Sequence, residues 1–271
     1  MDQFSAVSAH RSRSVTHRMP LQKFVHNEEV WGTVVSIVLR SPLHNENELR
    51  SSVDVMVKYF HEIDQLFSTY KPESEVSRLR SGRLKIEDAH AWVKDVWRLC
   101  EEAREMTLGA FDPWAVSGGF DPSGYVKGWA ADRALDLIPE IPHVQINAGG
   151  DISLRGGNAP GEPWRIGIRH PDDATQVAEL VEIFDGAIAT SGTYERGAHI
   201  IDPSNGLPAL EARSATVVAP DSGVADALAT ALVVAGRHGA HWFVDQPEWS
   251  AWVVDRHGDQ TWAIGPHFPK R

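Results

Sequence analysis

The chain has 271 residues, 42% hydrophobic and 23% charged, which is the balance of an ordinary soluble globular protein with enough length to bury a full core. Its formal net charge of −11 argues against nucleic acid as the main partner, because a phosphate backbone needs a basic face; a single local phosphate site stays compatible with it. The one cysteine, Cys100, cannot form an internal disulfide, and its place in the periodic run Ala91–Met106 reads as a small core residue.

Residues 1–27 are polar, basic and aperiodic, and they read as a mobile tail preceding one globular domain over 28–271. Arg11, Arg13 and Arg18 are followed by no apolar stretch, and a lipoprotein would need a cysteine there. No run approaches the roughly 20 apolar residues that cross a bilayer, so no membrane span is expected and the cytoplasm is the expected location.

Residues 30–39 (VWGTVVSIVL) are β-branched and apolar, the pattern of one buried strand ended by Pro42. Residues 46–66 place Leu49, Val53, Met56, Val57, Phe60, Ile63 and Leu66 at helical spacing. A second helix covers Ala91–Met106, with Gly109 as a stop signal. The next stretch, GAFDPWAVSGGFDPSGYVKG, is loop chemistry, and helix resumes at 128–138. Short strand-like runs follow at 144–147, 152–155, 164–169, 177–184, 187–190, 199–201 and 215–218. A strong helix over 224–235 is opened by Asp221 and Ser222 and closed by Gly236, and a last hairpin pairs 251–255 with 261–264 around Gly258. Strands dominate and helices come in blocks, so the fold class is α+β, a mainly antiparallel sheet with packed helices.

Four loop-rich segments carry possible chemistry. The loop from Asp121 to Asp132 opens a helix, whose N-terminal amides and Lys127 would suit an anion; it reads equally as a loop with a surface lysine. Asn147-Ala-Gly-Gly-Asp151 allows close backbone approach to a ligand, yet paired glycines also make plain hairpins. Ser191 through Asp202 gathers a hydroxyl, a histidine and an acid, but the Gly-x-Ser-x-Gly elbow of a serine hydrolase is absent. Asp226 and Thr230 stand four apart on one helical face, an oxygen pair suited to Mg²⁺, or else a partly buried acid capping a neighbour.

Taken together and in order, these segments resemble the ApbE family, the FAD:protein FMN transferases. The matching blocks are Trp31-Gly-Thr-Val-Val-Ser, Ser68-Thr-Tyr-Lys-Pro-Glu-Ser-Glu-Val-Ser-Arg-Leu, Gly109-Ala-Phe-Asp-Pro113, the Lys127-Gly helix start and Gly149-Gly-Asp. They continue through Ser191-Gly-Thr-Tyr, His199-Ile-Ile-Asp-Pro203 and Ala225-Asp-Ala-Leu-Ala-Thr-Ala231. Trp31 stands where the family usually has methionine, Arg80 where asparagine is common, and the stretch from Pro113 to Lys127 is shorter than in many members.

The resemblance implies a Mg-dependent transferase (Mn²⁺ being the other candidate ion). It attaches FMN from FAD through a phosphoester to a Thr or Ser of a target flavoprotein, with release of AMP. It implies a metal on Asp226, Thr230 and the backbone carbonyl of Gly124, and cofactor contacts from Lys127, Asp132, Ser191 and Gly192. His199 is the expected base, with an ordinary pKa near 6.5; Asp202 would orient it or contact the nucleotide. Tyr70 and Tyr194 have rings suited to stacking on a flavin or adenine, or to a core role. Two alternatives use the same residues: an FAD pyrophosphatase giving free FMN and AMP, and a non-catalytic flavin-binding protein.

Overall fold

The computed structural model describes residues 21–193, 200–256 and 260–268. It begins with a hairpin. Strand β1 (Gln22–Val30) pairs antiparallel with β2 (Thr33–Ser41) in continuous register from Gln22↔Ser41 to Val30↔Thr33. Two sequence expectations change here. Residues 22–27, read as tail, are strand: their side chains are mostly exposed, so little hydrophobicity marks them, and pairing with β2 holds them. The expected single strand over 30–39 is broken at Trp31 and Gly32, which both take positive φ (58° and 68°) and turn the chain. A tryptophan in that conformation is costly. Its indole pays the cost locally, donating to the Phe60 carbonyl at 3.1 Å and meeting the Phe60 ring edge-on at 5.0 Å.

Helix α1 (Glu46–Phe67) starts from a capping box in which Asn45 and Glu48 satisfy each other's backbone amides. It buries Leu49, Val53, Met56, Phe60 and Ile63 along one stripe. A short α2 (Glu75–Arg80), absent from the sequence reading, is capped by Ser74. Helix α3 (Ala91–Met106) ends as expected before Gly109, whose φ is 83°. Helix α4 (Ser123–Asp136) starts five residues earlier than its apolar pattern, through a non-helical Gly124. Helix α5 (Ser222–Ala235) is buried nearly all round by small residues and runs directly into a 3-10 helix over Gly236–Phe243.

The remaining strands are β3 (His143–Ala148), β4 (Asp151–Arg155), β5 (Trp164–Arg169), β6 (Val177–Ile183), β7 (Gly186–Gly192), β8 (Ala212–Ala219), β9 (Ser250–Asp255) and β10 (Thr261–Ile264). Eight strands form one sheet in the order β1-β2-β3-β4-β7-β8-β9-β10, while β5 and β6 form a separate two-stranded sheet. Every pairing is antiparallel, so the α+β expectation holds. The expected strand at 199–201 does not form over its described part. Ile200 is irregular, and Ile201 makes only an isolated bridge with Pro208, because the chain folds back through a turn at Asp202.

Strand alternation sorts the sheet's two faces. Val35, Ile37, Ile146, Ala189, Val217 and Val253 join the helices in the larger core. Their neighbours Ile152, Leu154, Ile188, Val218, Trp252 and Val254 face the other way, packing with Trp164, Ile168, Val181 and Ile183 of the β5–β6 hairpin. On β4 this alternation sends Asp151 and Ser153 to the helical side.

Helices α4 and α5 touch backbone to backbone. A Cβ on Gly128 would lie 2.5–2.6 Å from main-chain atoms of Ser222 and Gly223. Gly128→Ala is therefore expected to lower unfolding stability by about 1–3 kcal/mol, the usual range for overpacking. Urea denaturation checks it, and an unchanged midpoint would mean that the two helices separate without cost.

Candidate functional site

Three elements converge on one buried ion cluster. Lys127 projects from the second turn of α4, Asp151 from the first position of β4 and Asp226 from the first turns of α5. The Lys127 ammonium lies 2.8 Å from Asp151 Oδ2, and it donates to Asp226 Oδ2 at 3.4 Å and to the Ser123 carbonyl at 2.9 Å. Both carboxylates are almost fully buried. The approach to Asp151 is an ion-pair contact without hydrogen-bond geometry, so Asp151 Oδ2 has no hydrogen-bond partner among the described residues.

Burial and the neighbouring Asp151 push the Asp226 carboxyl up to about 7, against the pull of Lys127. For Lys127 burial works against the charge, but attraction from Asp151 and Asp226 outweighs it and the ammonium is held above its usual range.

Two clefts meet at this cluster. One, of about 1140 Å³, is walled by Trp31, Gly32, Thr33, Phe67 and Tyr70. The other, of about 270 Å³, is walled by Asp151, Asp226 and Thr230, by Ser191 and Gly192 at the end of β7, and by the 110–116 loop. Ser123 and Lys127 line both. The combined shape suits an elongated ligand with an anionic middle, which would lie against Lys127 at the N-terminal end of α4.

The expected site residues divide accordingly. Gly124, Lys127, Ser191, Gly192, Asp226 and Thr230 come together around the smaller cleft. Thr230 Oγ1 and Ser191 Oγ are hydrogen-bonded at 2.9 Å, and a Cβ on Gly124 would stand 3.9 Å from Thr230 Oγ1. Tyr70, 94% exposed, is on the rim of the larger cleft, so its core alternative falls away. Tyr194 and His199 lie outside the described residues.

Asp132 is not brought to either cleft. Its carboxylate accepts from Ser153 Oγ at 2.6 Å and from the Ser222 amide at 2.7 Å, tying α4 to β4 and to the start of α5, and it lines a different cavity. Five residues past Lys127, it has turned away from the clefts. Asp202 lines neither cleft, although its neighbours Ile201 and Pro203 do. Hydrogen bonds from the Ser204 side chain, from the Ser204 amide at 2.8 Å and from Asn205 at 2.7 Å lower its pKa and weaken it as a base.

Sequence reasoning missed Asp151, Asp112, Asp121 and Ser123 as lining residues. Asp112 and Asp121 are pinned in their loops, Asp112 by Arg104 at 2.8 Å and Asp121 by the Ser123 amide at 3.0 Å, with Arg80 3.5 Å away. The signal for Asp151 was its position right after Gly149-Gly150, a turn at which both glycines take positive φ.

Beside Lys127, the smaller cleft gathers oxygens: the Asp226 carboxylate, the Thr230 and Ser191 hydroxyls, and the backbone at Gly124. That chemistry fits a hard divalent cation such as Mg²⁺. Among the described residues no group of three or more His, Cys, Asp or Glu is placed to hold a metal. A cation here would need hydroxyl, carbonyl and ligand oxygens as well, as Mg²⁺ bound with phosphates does.

An antiparallel sheet with helices on one face thus carries a split cleft over a buried Asp-Lys-Asp cluster. The chain belongs to the ApbE family, whose model matches residues 31–118 and 117–253. It is 41% identical over 130 residues to the FAD:protein FMN transferase of Vibrio cholerae, covering 43% of this chain and 39% of that one. With the enzyme of the same name from Salmonella typhimurium it shares 34% over 163 residues, 55% of this chain and 46% of the other. The matched part thus spans less than half the length of these curated relatives. The ApbE protein of Thermotoga maritima superposes with a TM-score of 0.78 at 25% identity, covering 89% of this chain and 96% of that one. The flavin transferase ApbE of Vibrio cholerae superposes with the same TM-score at 24% identity, covering 90% and 97%, which bears on the fold alone. Among the described residues no helix is long and apolar enough to cross a membrane.

Burial pushes the Asp132 carboxyl up to about 7, against the hydrogen bonds from Ser153 and Ser222. An acid whose folded pKa is raised binds its proton more tightly folded than unfolded, so its contribution to stability falls as pH rises from about 4 to 7. Asp132→Asn should flatten that part of the stability profile. Urea midpoints at pH 5 and pH 7 test it, and an unchanged slope would mean the carboxyl is already ionised at pH 5.

Proposed function

We propose that this protein transfers the FMN half of FAD onto a Ser or Thr hydroxyl of a target flavoprotein and releases AMP. The observation that carries the reading is the meeting of two clefts at Lys127 and Ser123, beside Asp226 and Thr230. The aromatic-walled larger cleft suits the isoalloxazine ring, the seam suits the pyrophosphate and the smaller cleft suits the adenylate end. The names of the relatives support the same reaction.

In the proposed reaction the acceptor oxygen bonds to the FMN-side phosphorus while the bond from that phosphorus to the bridging oxygen breaks. AMP leaves with the electron pair. Such phosphoryl transfer depends on positioning and on charge neutralisation. Lys127 faces the anionic centre of the ligand with a charge that its two carboxylates keep in place. Ser191 orients the Thr230 hydroxyl, and Trp31 and Tyr70 confine the ring. Mg²⁺ (or Mn²⁺), held by Asp226, Thr230 and the Gly124 carbonyl, would supply further neutralisation on the pyrophosphate. His199 is the proposed acceptor of the hydroxyl proton on the strength of the sequence, and the lowered basicity of Asp202 leaves that acid the weaker candidate.

Titration with FAD and with FMN should give tighter binding of the dinucleotide, since only FAD fills both clefts. Incubation with Mg²⁺ and an acceptor flavoprotein should give protein-bound FMN by mass spectrometry, and Asp226→Ala should abolish transfer while leaving the fold intact by circular dichroism. Equal affinity for the two flavins would remove the two-cleft reading. Free FMN as the only product would make the protein a hydrolase, and intact FAD after long incubation would make it a carrier.

His199→Ala should slow single-turnover transfer by about 10²–10⁴-fold, the usual contribution of a general base, with FAD affinity little changed. Near-normal rates, or loss of binding and thermal stability in step with activity, would remove His199 as the base.

A further inference from the structure

The Lys127 ammonium has two carboxylates to choose between, and the geometry is uneven: Asp151 at 2.8 Å, Asp226 at 3.4 Å. Asp151 also has the more rigid mounting. It opens β4 after a two-residue turn, paired with Ala148 across the hairpin. Asn147 Oδ1 accepts from the Gly150 amide at 2.9 Å and fixes that turn. A Cβ on Gly149 would lie 2.8 Å from Thr33 Oγ1, so the turn is packed down on the β1–β2 hairpin. The next residue, Ile152, is anchored in the opposite core.

Asp151 Oδ2 is buried and without a hydrogen-bond partner among the described residues. A buried carboxylate oxygen in that state is expensive unless a charge stands against it. Here the charge is Lys127. Without Asp151, the ammonium would have Asp226 as its sole counter-ion in this cluster and would close on it, occupying the oxygen that a divalent cation needs.

We propose that Asp151 is a positioning residue, which holds the Lys127 ammonium at the seam of the two clefts and keeps its hydrogen bond to Asp226 Oδ2 long, at 3.4 Å, so that a divalent cation can take that oxygen. The Gly149-Gly150-Asp151 segment then sets the metal requirement of FAD binding through Lys127. The inference rests on the transferase reading of the same site, and its test separates the two.

FAD binding is followed by flavin fluorescence against Mg²⁺ concentration for the wild type, Asp151→Asn, Asp151→Glu, Lys127→Met and the Asp151→Asn/Lys127→Met pair, with thermal melts alongside. Asp151→Asn is expected to raise the Mg²⁺ concentration for half-maximal FAD binding by about tenfold or more, the size of a close charge coupling. Asp151→Glu, which keeps the charge, should stay closer to the wild type than Asp151→Asn does. With Lys127 already methionine, adding Asp151→Asn should change the requirement by less than about twofold, since coupling through an absent partner vanishes. An unchanged Mg²⁺ requirement in Asp151→Asn overturns the proposal. So does an equal effect with and without Lys127, which would make Asp151 a direct ligand of the cation. If Asp151→Asn alone does not fold, the comparison of Lys127→Met with the double variant decides by the same criterion. A wild type that binds no FAD at any Mg²⁺ concentration would instead remove the transferase reading.

Discussion

A charged lysine held between two buried aspartates is the constraint around which the rest of this site is arranged. A lysine ammonium and two carboxyl groups leave water at the junction of α4, β4 and α5, and the desolvation cost is offset only while the geometry is kept. The surroundings are built to keep it. Gly128 lets α4 lie on the first residues of α5, and Gly223 makes room for the Tyr125 ring. Asp132 ties the same three elements a second time, through Ser153 on β4 and Ser222 on α5. The two anchors use the matched periods of helix and strand. Lys127 and Asp132 are five apart on α4, and they meet Asp151 and Ser153, two apart on β4.

The clefts follow from that junction. Because α4 starts in a non-helical turn at Gly124, its first residues open toward solvent, and Ser123 and Lys127 border both spaces. The β1–β2 corner closes the larger one, with Trp31 held in a left-handed conformation by Phe60 of α1. Arg80 of α2 reaches the Ser117 carbonyl at 2.7 Å and thereby fixes the loop that walls the smaller one. The proposed chemistry asks for that combination: a rigid charged floor carried by core elements, and a ligand space shaped by loops.

The eight-stranded sheet separates the tasks. One face carries the helices and the charged cluster; the other is covered by the β5–β6 hairpin over an apolar layer in which Trp164 and Trp252 take part. Since β4 alternates between Asp151 or Ser153 on one side and Ile152 or Leu154 on the other, Asp151 is braced from behind by a hydrophobic core.

The sequence by itself determined the periodic elements and the family. Helices α1, α3 and α5 and strands β5, β9 and β10 were legible because their apolar spacing is regular, and Gly124, Lys127, Ser191, Asp226 and Thr230, which line one cleft, stand in motifs that occur in family order. Tertiary structure alone decided the rest. The Trp31 corner depends on Phe60, a contact invisible to local pattern. Residues 22–27 are strand because β2 pairs with them, not because they are hydrophobic. Asp132 and Asp202 looked like site acids in the chain, but one is used as a brace and the other is spent on its own turn. Asp151 looked like the end of a hairpin, and only packing against α4 set a lysine against it. Sequence spacing fixes what a residue can do locally; which cleft or core its side chain enters is set by elements far away in the chain.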